Sequence, residues 1–451
     1  MTRSPTMTLK ATLYLCSLTA LFCGVLISAN RIALAQKPAV KPAPLLMDLA
    51  TERLTTKGSD RTETVQLIQR DEPTQKLVTA TSYVFSNASG IPLDDLSTGT
   101  TTIVPENSDD GASTLQSIGF DFWFDGVRMT QFSCNANGIC RLGPTAVTTE
   151  FDNGSPTFGF ASTTNAPKIC PYFDDLWLGT NGKIHYKVTG SAPNRKLVVE
   201  WLNEQIPRGS SSAAGAGTFQ MWLFETTGVI EFVYGSGIND NAANDGYSIG
   251  LQSGPATNFV SVTSATNTVS YTVANNTQTN AITAGTAYLF TPQTATAPSD
   301  LNFSNTTALA TQLNWTDNSS NEVGFVIYRS ANGGLSYNFL AQTAANATSF
   351  VDGTLLPNTN YFYRVMAVTE GALSSPAQNN VTTLAAGNIS STATGGPWSS
   401  PATWVGGVIP TNSDNVIIVN GATVTIDTAA TAFSLTIGTG GAPAILQWED
   451  T

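Results

Sequence analysis

The stretch that decides the fold of the first half of the chain is Ile118-Gly119-Phe120-Asp121-Phe122-Trp123-Phe124-Asp125-Gly126. Ile118, Phe120, Phe122 and Phe124 recur at every second position, which is the period of a β-strand with one buried face. The Asp-Gly pair that follows favours a two-residue hairpin turn, and residues 129–134 return as the partner strand. The stretch therefore predicts a β-hairpin whose apolar face lies against a core.

Short alternating segments with Gly, Asn and Ser turns continue on both sides of this hairpin. Examples are Lys196 to Trp201, Thr218 to Glu225 and Val229 to Tyr234. Strands at this regular spacing are typical of a β-sandwich. We predict one all-β domain over residues 79–294.

Composition narrows the classes of protein that fit. Of 451 residues 41% are apolar but only 12% are charged, roughly half the usual charged share of about 25%. Coiled coils and basic nucleic-acid binders need more charge, and a net charge of −12 repels nucleic acid. The chain has a single histidine, His185, which alternates with lysines on a polar strand face and is expected to be solvated. Histidine-based metal sites and catalytic triads are therefore disfavoured, and we predict no enzyme activity.

The N-terminus has the pattern of a secretory signal. Arg3 and Lys10 precede an apolar run over residues 11–28, and Ala33-Leu34-Ala35 supplies the small residues of a cleavage site. We predict a signal peptide over 1–35, with an uncleaved membrane anchor as the alternative, and a flexible lead-in over 36–78. No later stretch is apolar enough to span a bilayer, so the mature chain is predicted to be secreted or held at the cell surface without a transmembrane segment.

Three cysteines remain after the signal is removed: Cys134, Cys140 and Cys170. Cys134 and Cys140 flank an Asn-Gly reversal, and an exported protein can oxidise thiols. A disulfide between Cys134 and Cys140 and three small buried residues are equally supported interpretations. Cys170 would then be a buried thiol or the true partner of one of the other two.

A proline-bearing stretch at residues 295–301 precedes a second unit over 295–385. It contains Leu313-Asn314-Trp315 and several short strands, which fit an immunoglobulin-type sandwich. Trp315 is expected to anchor the core, and Tyr361 to form a tyrosine corner in which its hydroxyl bonds to nearby backbone.

The last region, residues 386–451, has short β runs separated by Asn-Gly, Gly-Gly and Asp. This spacing suits stacked rungs, which need about three or more repeats to bury a core. We predict either that the sequence is a fragment of a longer protein or that its last unit is poorly ordered.

The three regions resemble known families. The run 120–126, Asn135-Ala136-Asn137-Gly138 and the segment 169–176 look like a nidogen-like or lectin-like β-sandwich module of bacterial surface proteins. Residues 295–385 resemble a fibronectin type III domain, and residues 386–451 resemble the start of a parallel β-helix. The first resemblance implies an extracellular recognition or scaffold module without catalytic residues, and the second implies a spacer or adhesion module.

Two acidic pairs, Asp109-Asp110 and Asp174-Asp175, are candidate metal ligands. Ca²⁺ binds several carboxylate and carbonyl oxygens, which neighbouring loops could provide. No EF-hand spacing supports such a site, so solvated loop acids are the favoured interpretation and Ca²⁺ the alternative.

Aromatic residues are the better binding candidates, because Trp and Tyr rings can stack on sugars or fill partner pockets. Tyr172 and Trp177 are the candidate ligand-binding residues, whereas Trp201 and Trp222 lie within alternating strands and are expected in the core.

We therefore predict an all-β protein with two β-sandwich domains, the second fibronectin type III-like, followed by an incomplete β-helix-like segment. The predicted function is non-catalytic adhesion to an extracellular protein or glycan through loops of the first domain. The alternative is the non-catalytic portion of an exported polysaccharide-active enzyme whose catalytic part lies beyond residue 451.

Overall fold

The computed structural model describes residues 82–157, 159–206, 216–239, 246–438 and 440–448. The predicted signal peptide at 1–35 and lead-in at 36–78 lie outside these residues. Within them nearly all regular structure is β, which confirms the all-β fold class, and a short 3-10 helix spans Pro401–Thr403. None of their helices is long and apolar enough to cross a membrane. Among the described residues, those from 82 to 385 belong to one compact unit and those from Ala386 onward belong to another.

The first sandwich contains fourteen strands. They are β1 (Val84–Ala88), β2 (Thr101–Val104), β3 (Gln116–Phe124), β4 (Val127–Cys134), β5 (Cys140–Leu142), β6 (Lys168–Phe173), β7 (Trp177–Thr189), β8 (Lys196–Gln205), β9 (Ala216–Phe224), β10 (Ile230–Tyr234), β11 (Ser248–Gln252), β12 (Phe259–Thr263), β13 (Thr268–Ser270) and β14 (Ala287–Thr291).

These strands form two seven-stranded sheets with antiparallel neighbours. One sheet has the order β1-β14-β10-β9-β8-β7-β2, and the other has the order β13-β12-β11-β6-β5-β4-β3. Their inner faces bury one large apolar core. Ile118, Phe120, Phe122 and Phe124 all belong to it, and β3 and β4 form the predicted hairpin around Asp125 and Gly126.

The connection from β1 to β2 covers the outer face of the first sheet, because these two strands lie at its opposite edges. Leu96 of this connection packs with Val198 and Trp222. His185 lies beneath the same face, 1% exposed, with its Nε2 2.6 Å from Glu200 Oε2. The expectation that His185 is solvated is therefore wrong.

The second sandwich has seven strands in two sheets. They are β15 (Ser299–Ser304), β16 (Thr311–Thr316), β17 (Gly324–Ser330), β18 (Asn338–Gln342), β19 (Ser349–Asp352), β20 (Asn360–Val368) and β21 (Ala377–Thr382). The sheet orders are β15-β16-β19 and β18-β17-β20-β21.

Both structural predictions for this second, fibronectin type III-like sandwich are confirmed. Trp315 is buried in its core. Tyr361 is also buried, and its hydroxyl oxygen accepts a hydrogen bond from the backbone N–H of Leu356 at 3.0 Å, which makes the tyrosine corner.

The second compact unit has parallel strands. They are β22 (Gly387–Ser390), β23 (Gly395–Pro397), β24 (Asp414–Ile418), β25 (Thr423–Ile426), β26 (Ser434–Ile437) and β27 (Ile445–Trp448). They form two three-stranded sheets, β22-β24-β26 and β23-β25-β27, over a small core with Trp398 and Trp404 in edge-to-face contact.

Candidate recognition site at one end of the first sandwich

Three connecting segments of the first sandwich meet at one end, which we call the loop end (residues 107–111, 135–139 and 174–178). Backbone hydrogen bonds join them. The N–H of Ala136 donates to Gly111 O at 2.7 Å, and the N–H of Leu178 donates to Ser108 O at 2.9 Å. Loops held in this way on a rigid sandwich are well placed to present side chains to a ligand.

Asn137 and Gly138 shape the loop end. The Asn137 side chain is fully buried; its Nδ2 donates to Asp110 Oδ1 at 3.0 Å, and its Oδ1 accepts from the N–H of Leu176 at 2.9 Å. Gly138 has a φ of 74°, and a Cβ there would lie 1.7 Å from Tyr172 O, so only glycine fits. The sequence predicted the reversal, but the orienting role of Asn137 was missed.

The loop end brings three of the four predicted metal ligands together. Asp109, Asp110 and Asp175 each place one carboxylate oxygen within 4.8 Å of the other two. Asp174 does not belong to this cluster: it is buried, and its Oδ1 accepts a hydrogen bond from the N–H of Asp175 at 2.8 Å. The three clustered oxygens are the hard ligands that Ca²⁺ prefers, but exposed acids also cluster without a cation, so both interpretations stay open.

The two predicted aromatic ligands differ in exposure. Tyr172 is 0% exposed and stacks on Tyr247 with ring centroids 4.3 Å apart. The expectation that its ring is available to a ligand is wrong, because it is a core residue. Trp177 is half-buried at the start of β7, two residues after Asp175, and stays a candidate.

Trp201 and Trp222 are buried, as predicted. The indole Nε1–H of Trp201 donates to Asn135 O at 2.9 Å, which ties the core to the loop end. Trp222 lies on the outer face of its sheet, under the β1–β2 connection.

Cys134 and Cys140 are direct cross-strand neighbours with free, buried thiols. The backbone N–H of Cys134 donates to Ser113 Oγ and its carbonyl accepts from the N–H of Ser113, so no backbone hydrogen bond joins the two cysteines. Cα atoms in such pairs lie about 4.5 Å apart, within the range a disulfide spans. The disulfide stays a prediction. Cys170 faces a separate apolar cluster, where burial raises the pKa of its thiol.

Sequence reasoning missed one buried acid near this end. Glu204 of β8 is 0% exposed, opposite Leu178 and Gly217 on the neighbouring strands. Neither carboxylate oxygen has a hydrogen-bond partner in the part of the chain that the structure describes. Desolvation raises the pKa of this carboxyl group well above its ordinary value.

Comparison with solved structures finds similar fibronectin type III folds. A domain of human collagen XX is 24% identical over 19% of this chain and 88% of its own length, with a TM-score of 0.18. A fibronectin type III-like protein from Clostridium thermocellum is 20% identical over 20% of this chain and 92% of its own, also with a TM-score of 0.18.

No curated protein matches the sequence. A family model does match it: residues 82–292, which contain all fourteen strands and the loop end of the first sandwich, match the family described as NIDO related. The similarity to the NIDO-related family thus covers the first sandwich.

Proposed function

We propose that this protein is an exported, non-catalytic recognition protein that binds an extracellular protein or a glycan through the loop end of its NIDO-related sandwich. The observation behind this proposal is that three segments converge there, and that the half-buried Trp177 follows Asp175 by two residues. A partly exposed indole next to polar side chains can stack on a sugar ring or fill a partner pocket.

The chemistry of the chain supports a role without catalysis. Its single histidine is used structurally, with Nδ1 3.1 Å from Thr100 Oγ1 and Nε2 2.6 Å from Glu200. It lies on the outer face of one sheet, beneath the β1–β2 connection. Nucleophilic catalysis through His185 would have to break this buried pair.

We also propose that residues from Ala386 begin a parallel β-helix. The parallel register supports this: Asn388 pairs with Asn415, which pairs in turn with Ser434, so successive strands stack as rungs. The N-terminal signal pattern supports export, and secretion of the mature chain into the medium would test it.

Binding can be tested with the mature full chain on a glycan array and against immobilised extracellular-matrix proteins. We expect Trp177→Ala to weaken binding to the ligand found by roughly tenfold or more, as loss of an aromatic hot spot does. Trp448→Ala is the matched control, since Trp448 is 51% exposed but lies in the other compact unit.

Retention of full affinity by Trp177→Ala would contradict binding at the loop end. Binding to no glycan would leave a protein partner. Release of reducing sugars from a polysaccharide by the same preparation would overturn the non-catalytic role.

A further inference from the structure

The two sandwiches of the first compact unit meet at a joint formed by the β3–β4 hairpin, β17, β18 and the β20–β21 turn. Trp123 of the hairpin is buried against Val326 and Val368 of the second sandwich. The N–H of Gly126 donates to Glu370 O at 2.9 Å, and the Gln342 side chain donates to Gly126 O at 2.7 Å. The second sandwich is therefore docked on the first.

One half of the joint is balanced in charge. Asp121 accepts a hydrogen bond from the Tyr328 hydroxyl at 2.7 Å and pairs with Arg128 at 2.6 Å. The Arg128 guanidinium also lies 4.4 Å above the Phe339 ring. Further along the same face, Arg195 pairs with Glu225. The two arginines on this side are therefore paired with Asp121 and Glu225, not with the acids of the other half.

The other half holds two acids and a phenol. Glu370 is 3% exposed, and its Oε1 accepts from the backbone N–H of Gln293 at 2.7 Å. Asp125 Oδ1 and the Tyr83 hydroxyl are buried, and neither has a hydrogen-bond partner among the residues described. The surfaces are in close contact, since a Cβ on Gly371 would lie 2.3 Å from the Tyr83 hydroxyl.

The pKa values of these three groups are shifted in the direction that their burial at the joint predicts. Desolvation raises the pKa of Asp125 to about 6; the polar side chains of Ser253 and Asn258 act to lower it, and the Glu370 charge raises it further. Burial also raises the pKa of Glu370. For the Tyr83 hydroxyl, burial comes first, and the charges of Glu370 and Asp125 then raise its pKa.

We propose that this joint is strengthened by acid: proton uptake by Asp125 and Glu370 holds the second sandwich against the first, and ionisation of both carboxyl groups weakens the contact. Undocking would expose the two acids to water and return them to their ordinary affinity for protons. The docked state therefore binds more protons than the undocked state, so docking must become more favourable as the pH falls.

The size of the effect follows from Asp125 alone. With a pKa of about 6 when docked and 3.8 when exposed, the docking equilibrium should weaken about tenfold between roughly pH 5 and pH 8. Glu370 adds to this change in the same direction.

Hydrogen exchange at the Gly126 amide measures the joint, because that N–H bonds across it to Glu370 O. We expect its protection, corrected for the intrinsic exchange rate, to fall about tenfold from roughly pH 5 to pH 8 in the mature chain. Amides of β8 serve as an internal reference and should keep their protection. In the double variant Asp125→Asn, Glu370→Gln, protection of Gly126 should no longer depend on pH.

Asp152→Asn, which changes an exposed carboxylate elsewhere on the first sandwich, should retain the wild-type pH dependence. Constant protection of Gly126 across this range in the wild-type chain would overturn the proposal, and that measurement needs no variant. The proposal also fails if the double variant folds but keeps the wild-type pH dependence. If β8 loses protection in parallel with Gly126, the sandwich itself is unfolding and acid does not act on the joint.

Discussion

Two glutamates of the first sandwich, Glu150 and Glu204, are both buried, but they differ in whether their carboxylates have polar partners. Glu150 Oε2 accepts a hydrogen bond from Asn165 Nδ2 at 2.6 Å, and its Oε1 lies 3.8 Å from Lys168 Nζ. Glu204 has no hydrogen-bond partner among the residues that the structure describes. One domain therefore contains both a compensated and an uncompensated buried carboxyl group.

The pKa values of the two acids reflect this difference. Desolvation raises the pKa of Glu150 to about 7, but Lys168 and Asn165 both act to lower it. For Glu204 desolvation acts alone. The compensated acid helps to order the long β5–β6 connection, since Lys168 also donates to Gly159 O at 2.7 Å. Glu204 makes no such contact, so the comparison predicts that similar substitutions at the two sites have opposite effects.

Removing the cation should cause the largest loss. Lys168→Met leaves Glu150 buried without its charge partner, and breaking a buried pair in this way costs about 3–5 kcal/mol. The free energy of unfolding can be measured in the mature chain by urea titration, followed by hydrogen exchange of the first-sandwich strands. Lys183→Met on the polar face of β7 is the control and should change stability little. Equal effects of the two variants would mean that the Glu150–Lys168 pair contributes nothing specific.

The same replacement at both glutamates tests the comparison directly. Glu204→Leu removes a buried carboxyl group that lacks partners and should stabilise the sandwich by about 1–3 kcal/mol. Glu150→Leu should destabilise it, because Lys168 and Asn165 lose their acceptor. Urea midpoints of the two variants can be compared side by side. A loss of stability in Glu204→Leu would indicate that Glu204 has a partner in the folded protein.

The pattern of the sequence explains why Glu204 escaped prediction. Strict alternation after Trp201 would place residue 203 inside, but a bulge between Trp201 and Glu204, with Asn203 at a φ of 56°, shifts the phase. Glu204 and Ile206 then face the core. Bulges of this kind depend on the register of neighbouring strands, which a single strand's pattern does not reveal.

Features set by local pattern were predictable. The β3–β4 hairpin follows from period two and one Asp-Gly turn, and the Tyr361 corner from residues close in sequence. Features that need distant segments were not. His185 is buried because a connection between opposite sheet edges covers it, and the Tyr172 ring is buried against Phe219 and Tyr247, which are distant in sequence.

The pH dependence of the free energy of unfolding gives a further test of the two acids. Each has a folded-state pKa above its unfolded value of 4.5, so each contribution is fully present below that pH and is lost as the pH rises through the folded-state pKa. The loss due to Glu150 ends near its pKa of about 7, and the loss due to Glu204 has the same sign because desolvation alone raises its pKa.

Because Glu204→Leu lacks the carboxyl group, the wild-type chain should lose up to about 1.4 kcal/mol per pH unit more than this variant as the pH rises from 4.5 through the raised folded-state pKa of Glu204. Urea titrations at a series of pH values from 4.5 upward measure this difference. Parallel pH profiles for the two proteins would contradict the uncompensated burial of Glu204.

Asp109, Asp110 and Asp175 extend the comparison to acids that water can reach, and here the smallest effect is expected. Solvent screening weakens the repulsion between these exposed and half-buried carboxylates, so Asp175→Asn should stabilise the sandwich by less than about 1 kcal/mol. If the cluster binds no cation, added Ca²⁺ leaves the urea midpoints of the wild-type chain and of Asp175→Asn unchanged. A Ca²⁺-dependent rise in the wild-type midpoint that Asp175→Asn lacks would instead establish a metal site, because a ligand that binds only the folded state raises its stability. The cluster would then resemble Glu150, whose charge is balanced by a bound partner, more than an acid balanced by solvent.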